Sequence, residues 1–163
     1  MSLSYNDATS GWVALLAIVA IVVAFRLYRA AKGTKYGAGR IYRLPVFYVL
    51  FTAIALATLS LTVADITSAV LVFVFGTIVG LQISGGVAFS KRNGMVYYKR
   101  SSAVTMLWLA SFVGRFAIEV LYPGSHYALL AVALLLAGTT GLILGEAFHI
   151  KKGYEHYRKG VDI

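Results

Sequence analysis

Five apolar runs divide this chain, each close to the roughly 20 residues that a helix needs to cross the hydrocarbon of a bilayer. They cover residues 11–28, 44–63, 69–89, 103–122 and 127–148. No water reaches backbone groups in hydrocarbon, so runs of this length satisfy their N–H and C=O groups internally, as helices. Charge is correspondingly scarce: 13% of residues are charged, against about 25% in a soluble domain. The expected fold is an all-α membrane protein, one transmembrane domain over residues 1–163 built as a bundle of five helices. The connections leave no room for a soluble domain of useful size.

The basic residues orient these spans. Arg26, Arg29, Lys32, Lys35, Arg40 and Arg43 follow the first run; Lys91, Arg92, Lys99 and Arg100 separate the third from the fourth; Lys151, Lys152, Arg158 and Lys159 follow the fifth. Five crossings put all three clusters on one face, while Asp7 and Asp65 fall on the other. By the positive-inside rule this is an N-out, C-in topology in the cell membrane, with the basic face against anionic head groups. The first run has no basic residues before it, the reverse of a cleaved signal peptide, so it reads as a retained span. A net charge of +9 that sits in short clusters beside spans points to lipid and away from nucleic acid.

Two short connections, 64–68 and Pro123-Gly124-Ser125-His126, predict tight helical hairpins. Asn93-Gly94, flanked by Val96, Tyr97 and Tyr98, predicts a small cytoplasmic β-hairpin, with an irregular loop as the alternative. Sliding the chain by 59 positions lays Gly86, Ala88, Phe89 and Gly94 on Gly145, Ala147, Phe148 and Gly153, and Tyr98 on Tyr157. That match suggests a duplicated helical hairpin; placement rules for Gly, Tyr and Lys at a membrane interface account for it equally.

The chemistry-bearing candidates are few. Arg115 and Glu119 lie one turn apart on the fourth run, and an ionisable residue in hydrocarbon is costly enough to be a functional candidate. The plainer reading is that Arg115 ties helices together through Glu119, Asp65 or a neighbour's carbonyl. Glu146, near the inner end of the last run, reads as snorkelling to the basic loops or as a step in a proton path. Gly76 and Gly80 form a GxxxG pair, and Ala137, Gly141 and Gly145 a small-xxx-small series, both expected to mark helix-packing faces. His126 lies on the outer side and His149 and His156 on the inner, with no pair placed to face each other, so no bis-histidine haem is expected; His149, His156 and Glu155 read as a solvated tail, with an inner-surface metal site as the alternative. The absence of cysteine excludes thiol redox chemistry, disulfides and cysteine-ligated metals. No nucleotide-binding or hydrolase motif is present, so no catalytic residue and no cofactor is expected.

The stretch Gly94-Met95-Val96-Tyr97-Tyr98-Lys99-Arg100-Ser101, followed by a span bearing Arg115, resembles the CcdC-like family of small polytopic membrane proteins. Leu44-Pro45-Val46-Phe47, after a basic segment, resembles the same family's proline-containing start of a span. The resemblance implies a multispan protein connected with cytochrome c biogenesis, and it carries over no catalytic residue. The functional expectation is a non-enzymatic accessory, assembly or scaffold component acting through contacts with other membrane proteins or itself, beside a respiratory or cytochrome-related complex. The rival expectation is a small oligomeric transporter or channel with Arg115 and Glu119 near its pathway.

Overall fold

A computed structural model of the chain describes residues 33–92 and 95–161, together with Ala20, Ile21, Ala24 and Tyr28. The first expected span, 11–28, lies outside the described residues except for those four, all helical. Among the described residues, four helices are long and apolar enough to cross a bilayer. They are α1 (Ala38–Ala57), α2 (Val63–Ile83), α3 (Ser102–Leu121) and α4 (His126–Val161).

Local chemistry sets their ends, and it moves several expected boundaries. α2 opens on a capping box: Thr62 Oγ1 accepts the Asp65 N–H at 3.3 Å, and Asp65 Oδ2 accepts the Thr62 N–H at 2.8 Å. The turn after α1 is therefore 58–62 rather than 64–68, and Asp65 sits inside a helix, its charge against the positive end of the dipole. α1 begins at Ala38, ahead of the apolar run, because Arg40 and Arg43 are tolerated on an exposed face. Pro45 lies within α1 and is fully buried; lacking an N–H, it leaves the Ile41 carbonyl without its helical partner. The α3–α4 turn contains Gly124 at φ +75°, a left-handed conformation suited to glycine. α4 runs on past the expected 148 to Val161, 36 residues or about 54 Å at the helical rise, against a hydrocarbon core of about 30 Å.

The excess length of α4 carries a small sheet. Strands β1 (Thr34–Lys35), β2 (Ala88–Arg92) and β3 (Met95–Lys99) form an antiparallel sheet in the order β1-β3-β2. The pairing of Arg92 with Met95 makes β2–β3 the expected hairpin, its Asn93-Gly94 tip outside the described residues. β1 is an addition that the sequence did not announce. Tyr36 stacks on Tyr154 with ring centroids 3.6 Å apart, and Phe89 on Tyr157 at 5.8 Å, fastening the sheet to α4. Burial, then the neighbouring Tyr154, holds the Tyr36 hydroxyl above its ordinary pKa. Ile41, Tyr98, Ala147 and Ile150 form the buried core beneath.

α4 is the centre of the bundle, and α1, α2 and α3 each pack on it. The α3–α4 hairpin is closed as expected, but α1 and α2 diverge from their turn and scarcely touch. The 59-residue match does not extend to structure. Ala88, Phe89 and Tyr98 of its first copy lie in the sheet and the second copy lies in continuous helix, and the helix starts 38 and 102 are 64 apart.

Candidate functional site

Two polar assemblies lie inside the apolar bundle, and a third feature, the α2–α4 contact, holds them in place. That contact is built on glycine. A β-carbon added at Gly76 would overlap the Gly138 carbonyl oxygen, one at Gly80 the Leu142 carbonyl, one at Gly141 the Phe73 carbonyl, and one at Gly145 the Thr77 carbonyl. Partner numbers rise together along both helices, so α2 and α4 run parallel with their backbones touching. Such approach gives dispersion and Cα–H···O contacts, the forces left for helix association in lipid. Gly138, outside the small-residue series read from the sequence, belongs to the same seam, where a β-carbon would lie 3.0 Å from Val72 Cγ1.

The first polar assembly joins α1, α3 and α4 at mid-bundle. The Trp108 indole N–H donates to the Tyr48 hydroxyl at 2.6 Å. Thr52 and Thr140 hydroxyls meet at 2.7 Å, and Ser111 and Thr139 hydroxyls at 2.6 Å. Thr139 and Thr140 also bond back to the Leu135 and Leu136 carbonyls, the usual refuge of a hydroxyl in an apolar helix. Sequence reading missed Tyr48, Thr52 and Trp108. The signal was their common helical phase, legible only once the helices are assembled. Tyr48→Phe should leave a buried indole N–H without its acceptor and lower stability by about 1 kcal/mol, measured by unfolding in detergent.

Arg115 borders this assembly. Its Nε donates to the Ser111 carbonyl one turn back at 3.3 Å, its guanidinium also hydrogen-bonds the Tyr48 side chain, and Glu119 lies within electrostatic reach. Its Nη2 is buried without a hydrogen-bond partner among the described residues. The expected pairing with Glu119 or Asp65 is not made: among the described residues no ion pair within 4.0 Å links them. Asp65 is occupied by the α2 cap, and Glu119 is exposed. Arg115 and Glu119 instead line a cavity of about 500 Å³ between α1, α3 and α4, walled by Phe51, Phe112, Phe116 and Leu136. Thr58, Leu59 and Leu129, near the helix ends remote from the sheet, also line it.

The second assembly lies near the sheet end. Glu146 is completely buried, and Arg100 Nε approaches its Oε2 at 3.6 Å. The expected snorkelling is thus reversed: the carboxylate stays inside and the arginine, with 20% of its side chain exposed, reaches in. Ser84, fully buried, bonds the Gly80 carbonyl, and Ser101 Oγ donates to the Ile83 carbonyl at 3.0 Å, fixing the turn from α2 into the hairpin. Arg115 and Glu146 therefore occupy separate sites. Of the histidines, His126 opens α4, and His149 and His156 lie on its sheet-bearing half; among the described residues no group of three potential ligands gathers.

The described parts of all three basic clusters meet at one end of the molecule, around the sheet and the last turns of α4. With several long apolar helices above them, this is a multi-pass membrane protein. Neither a curated protein nor a solved structure matches the chain. A profile of the CcdC protein family matches residues 8–148, well over half of its length. The chain belongs to the CcdC protein family.

Proposed function

We propose that this protein is a non-enzymatic scaffold of the cell membrane, an accessory or assembly component that presents its basic end, on the cytoplasmic side, to a larger membrane complex. The observation that carries this reading is α4. One unbroken helix of 36 residues runs through both the membrane core and the sheet-bearing platform, so the platform is held at a fixed height and angle. Lys151, Lys152, Arg158 and Lys159 on that helix, with Lys91 and Lys99 on the sheet, suit the platform to anionic head groups and to an acidic partner surface. The complex we have in view is a respiratory or cytochrome-related one.

The experiment is a native pull-down in mild detergent from its own membranes. The full chain should bring down a larger membrane complex. The double variant Tyr154→Ala/Tyr157→Ala, which removes both aromatic stacks between α4 and the sheet, should lose it while the spans stay folded. Recovery of a bare homo-oligomer by the full chain speaks against the scaffold. A second reading, a small oligomeric transporter, is favoured by the cavity that Arg115 and Glu119 line. It requires a pathway past the buried Ile143 and Ala147, and solute flux into proteoliposomes decides it.

A further inference from the structure

We infer that the outer edge of β2 is a strand-addition site for an extended acidic segment of a partner protein on the cytoplasmic side. The inference rests on the scaffold reading and names how the platform grips its partner. Its test uses a peptide in place of the complex, so it can fail while the pull-down succeeds.

The sheet order β1-β3-β2 leaves β2 at an edge, and among the described elements it runs alongside β3 alone. The phase of the ladder decides which backbone groups that edge presents. Val96 of β3 accepts the Tyr36 N–H at 2.8 Å, so its backbone groups point towards β1. Lys91, directly opposite Val96, is therefore in a non-hydrogen-bonded pair, and its own N–H and C=O point away from β3. Phe89, opposite Tyr98 and two residues back, has the same phase. Two donors and two acceptors thus line the edge, and among the described residues no backbone group pairs with them. Ala88, Ser90 and Lys91 are exposed, so the edge is open to a newcomer. Such a row of unpaired groups is a template for another strand.

The surroundings specify which strand fits. Phe89 stacks on Tyr157 and covers Gly153, where an added β-carbon would lie 2.9 Å from the Phe89 ring. β2 is therefore held against α4, and an incoming strand need not order it first. Lys91 is exposed, as are Lys152, Arg158 and Lys159 on the same end of α4, so the field there is positive; Glu155 is the one exposed carboxylate among its described residues. A lysine on an edge ordinarily keeps other strands away. Here it selects among them. A basic strand, a second copy of β2 included, would set like charges side by side, whereas a carboxylate opposite Lys91 pairs with it across the new ladder. Main-chain bonds then give affinity and the charge gives specificity. The 5 residues of β2 set the reach of the added strand, about 17 Å.

The test uses the full chain in phosphatidylcholine nanodiscs, titrated with an end-capped Glu-Val-Glu-Val-Glu-Val peptide. Binding is read by fluorescence anisotropy of the peptide and by amide hydrogen exchange of the protein. The peptide should bind saturably and slow exchange at Phe89 and Lys91, with little change at Ser90, whose N–H is already used in the hairpin. The same peptide N-methylated at every residue keeps its charge and loses its donors, and it should bind at least roughly tenfold more weakly. Lys91→Pro removes an outward N–H at an edge position that tolerates proline, so binding should fall while the sheet stays intact. Lys91→Glu keeps the N–H and reverses the charge; it should weaken the acidic peptide and admit Lys-Val-Lys-Val-Lys-Val. Equal binding of the methylated and unmethylated peptides overturns the inference and leaves the edge as part of a basic, lipid-facing surface. Unchanged exchange at Phe89 and Lys91 overturns it too. Should Lys91→Pro disturb the hairpin, the switch of preference in Lys91→Glu still decides.

Discussion

Gly80→Leu will prevent the bundle from closing. A β-carbon at this position already overlaps the Leu142 carbonyl oxygen and would lie 3.0 Å from the carbonyl carbon. The obstacle is backbone, so no rotamer change on α4 relieves it, and α2 must move outward along its whole contact. Overpacking of a well-filled core costs on the order of 1–3 kcal/mol, and a backbone clash belongs at the top of that range or beyond. Gly141→Leu will do the same from the other side, against the Phe73 carbonyl and the Thr77 amide nitrogen at 2.8 Å. The sharper version uses alanine, which ordinarily favours a helix over glycine by about 1 kcal/mol. At Gly114 of α3, where a β-carbon meets only Leu135 Cδ1 at 3.9 Å, Gly→Ala should be neutral or stabilising. At Gly76, Gly80, Gly141 and Gly145 the same change should destabilise. Thermal unfolding in detergent compares the five variants, and a uniform gain across them would show that α2 and α4 do not touch through backbone.

Glu146→Ala should be the most damaging change of a charged residue. It would strand Arg100, which now directs its guanidinium to a carboxylate with no solvent exposure. Removing one member of a buried pair typically costs about 3–5 kcal/mol, because the survivor is left uncompensated. Removing both is far milder: Arg100→Met/Glu146→Leu should recover most of the loss, since hydrophobic replacement of a buried pair is often neutral or better. Denaturant midpoints of the two single variants and the double variant form a cycle that isolates the coupling. Additive losses would mean that the two groups do not depend on one another. Glu146→Gln keeps the shape and isolates the charge, and it should fall between parent and alanine.

What could be read beforehand and what could not separate along physical lines. Hydropathy reports which segments leave water, so the helices now seen at α1 to α4 were legible, and the basic clusters showed that their sheet-bearing ends share one side. Asn93-Gly94 between β-favouring residues announced the hairpin, and glycines four apart on α2 announced a packing face. Hydropathy says nothing about which helix meets which. Short connections suggested two closed hairpins, yet α1 and α2 separate because the glycine seam holds α2 on α4. The sequence offers Arg115 the carboxylates of Glu119 and Asp65 or a neighbour's carbonyl, and cannot choose among them. The structure supplies its own helix's Ser111 carbonyl and the Tyr48 hydroxyl side of α1, groups whose proximity depends on rotation of α1 about its axis. The Thr62-x-x-Asp65 capping box was present in the letters and was outweighed by the polar character of 64–68 as a loop.

The central place of α4 has a consequence in time. Helices α1 and α2 leave the ribosome and enter the bilayer with scarcely any surface for one another, and α3 adds little to either. Their common partner is the last of these four helices to be made. Until residues 126–161 are inserted, the glycine face of α2 and the Thr52 hydroxyl of α1 lack the surface they meet in the folded bundle. Among the described helices, closure of the bundle is therefore a late event, and a nascent chain stopped short of α4 would leave α2 without its glycine seam, open to capture by quality control.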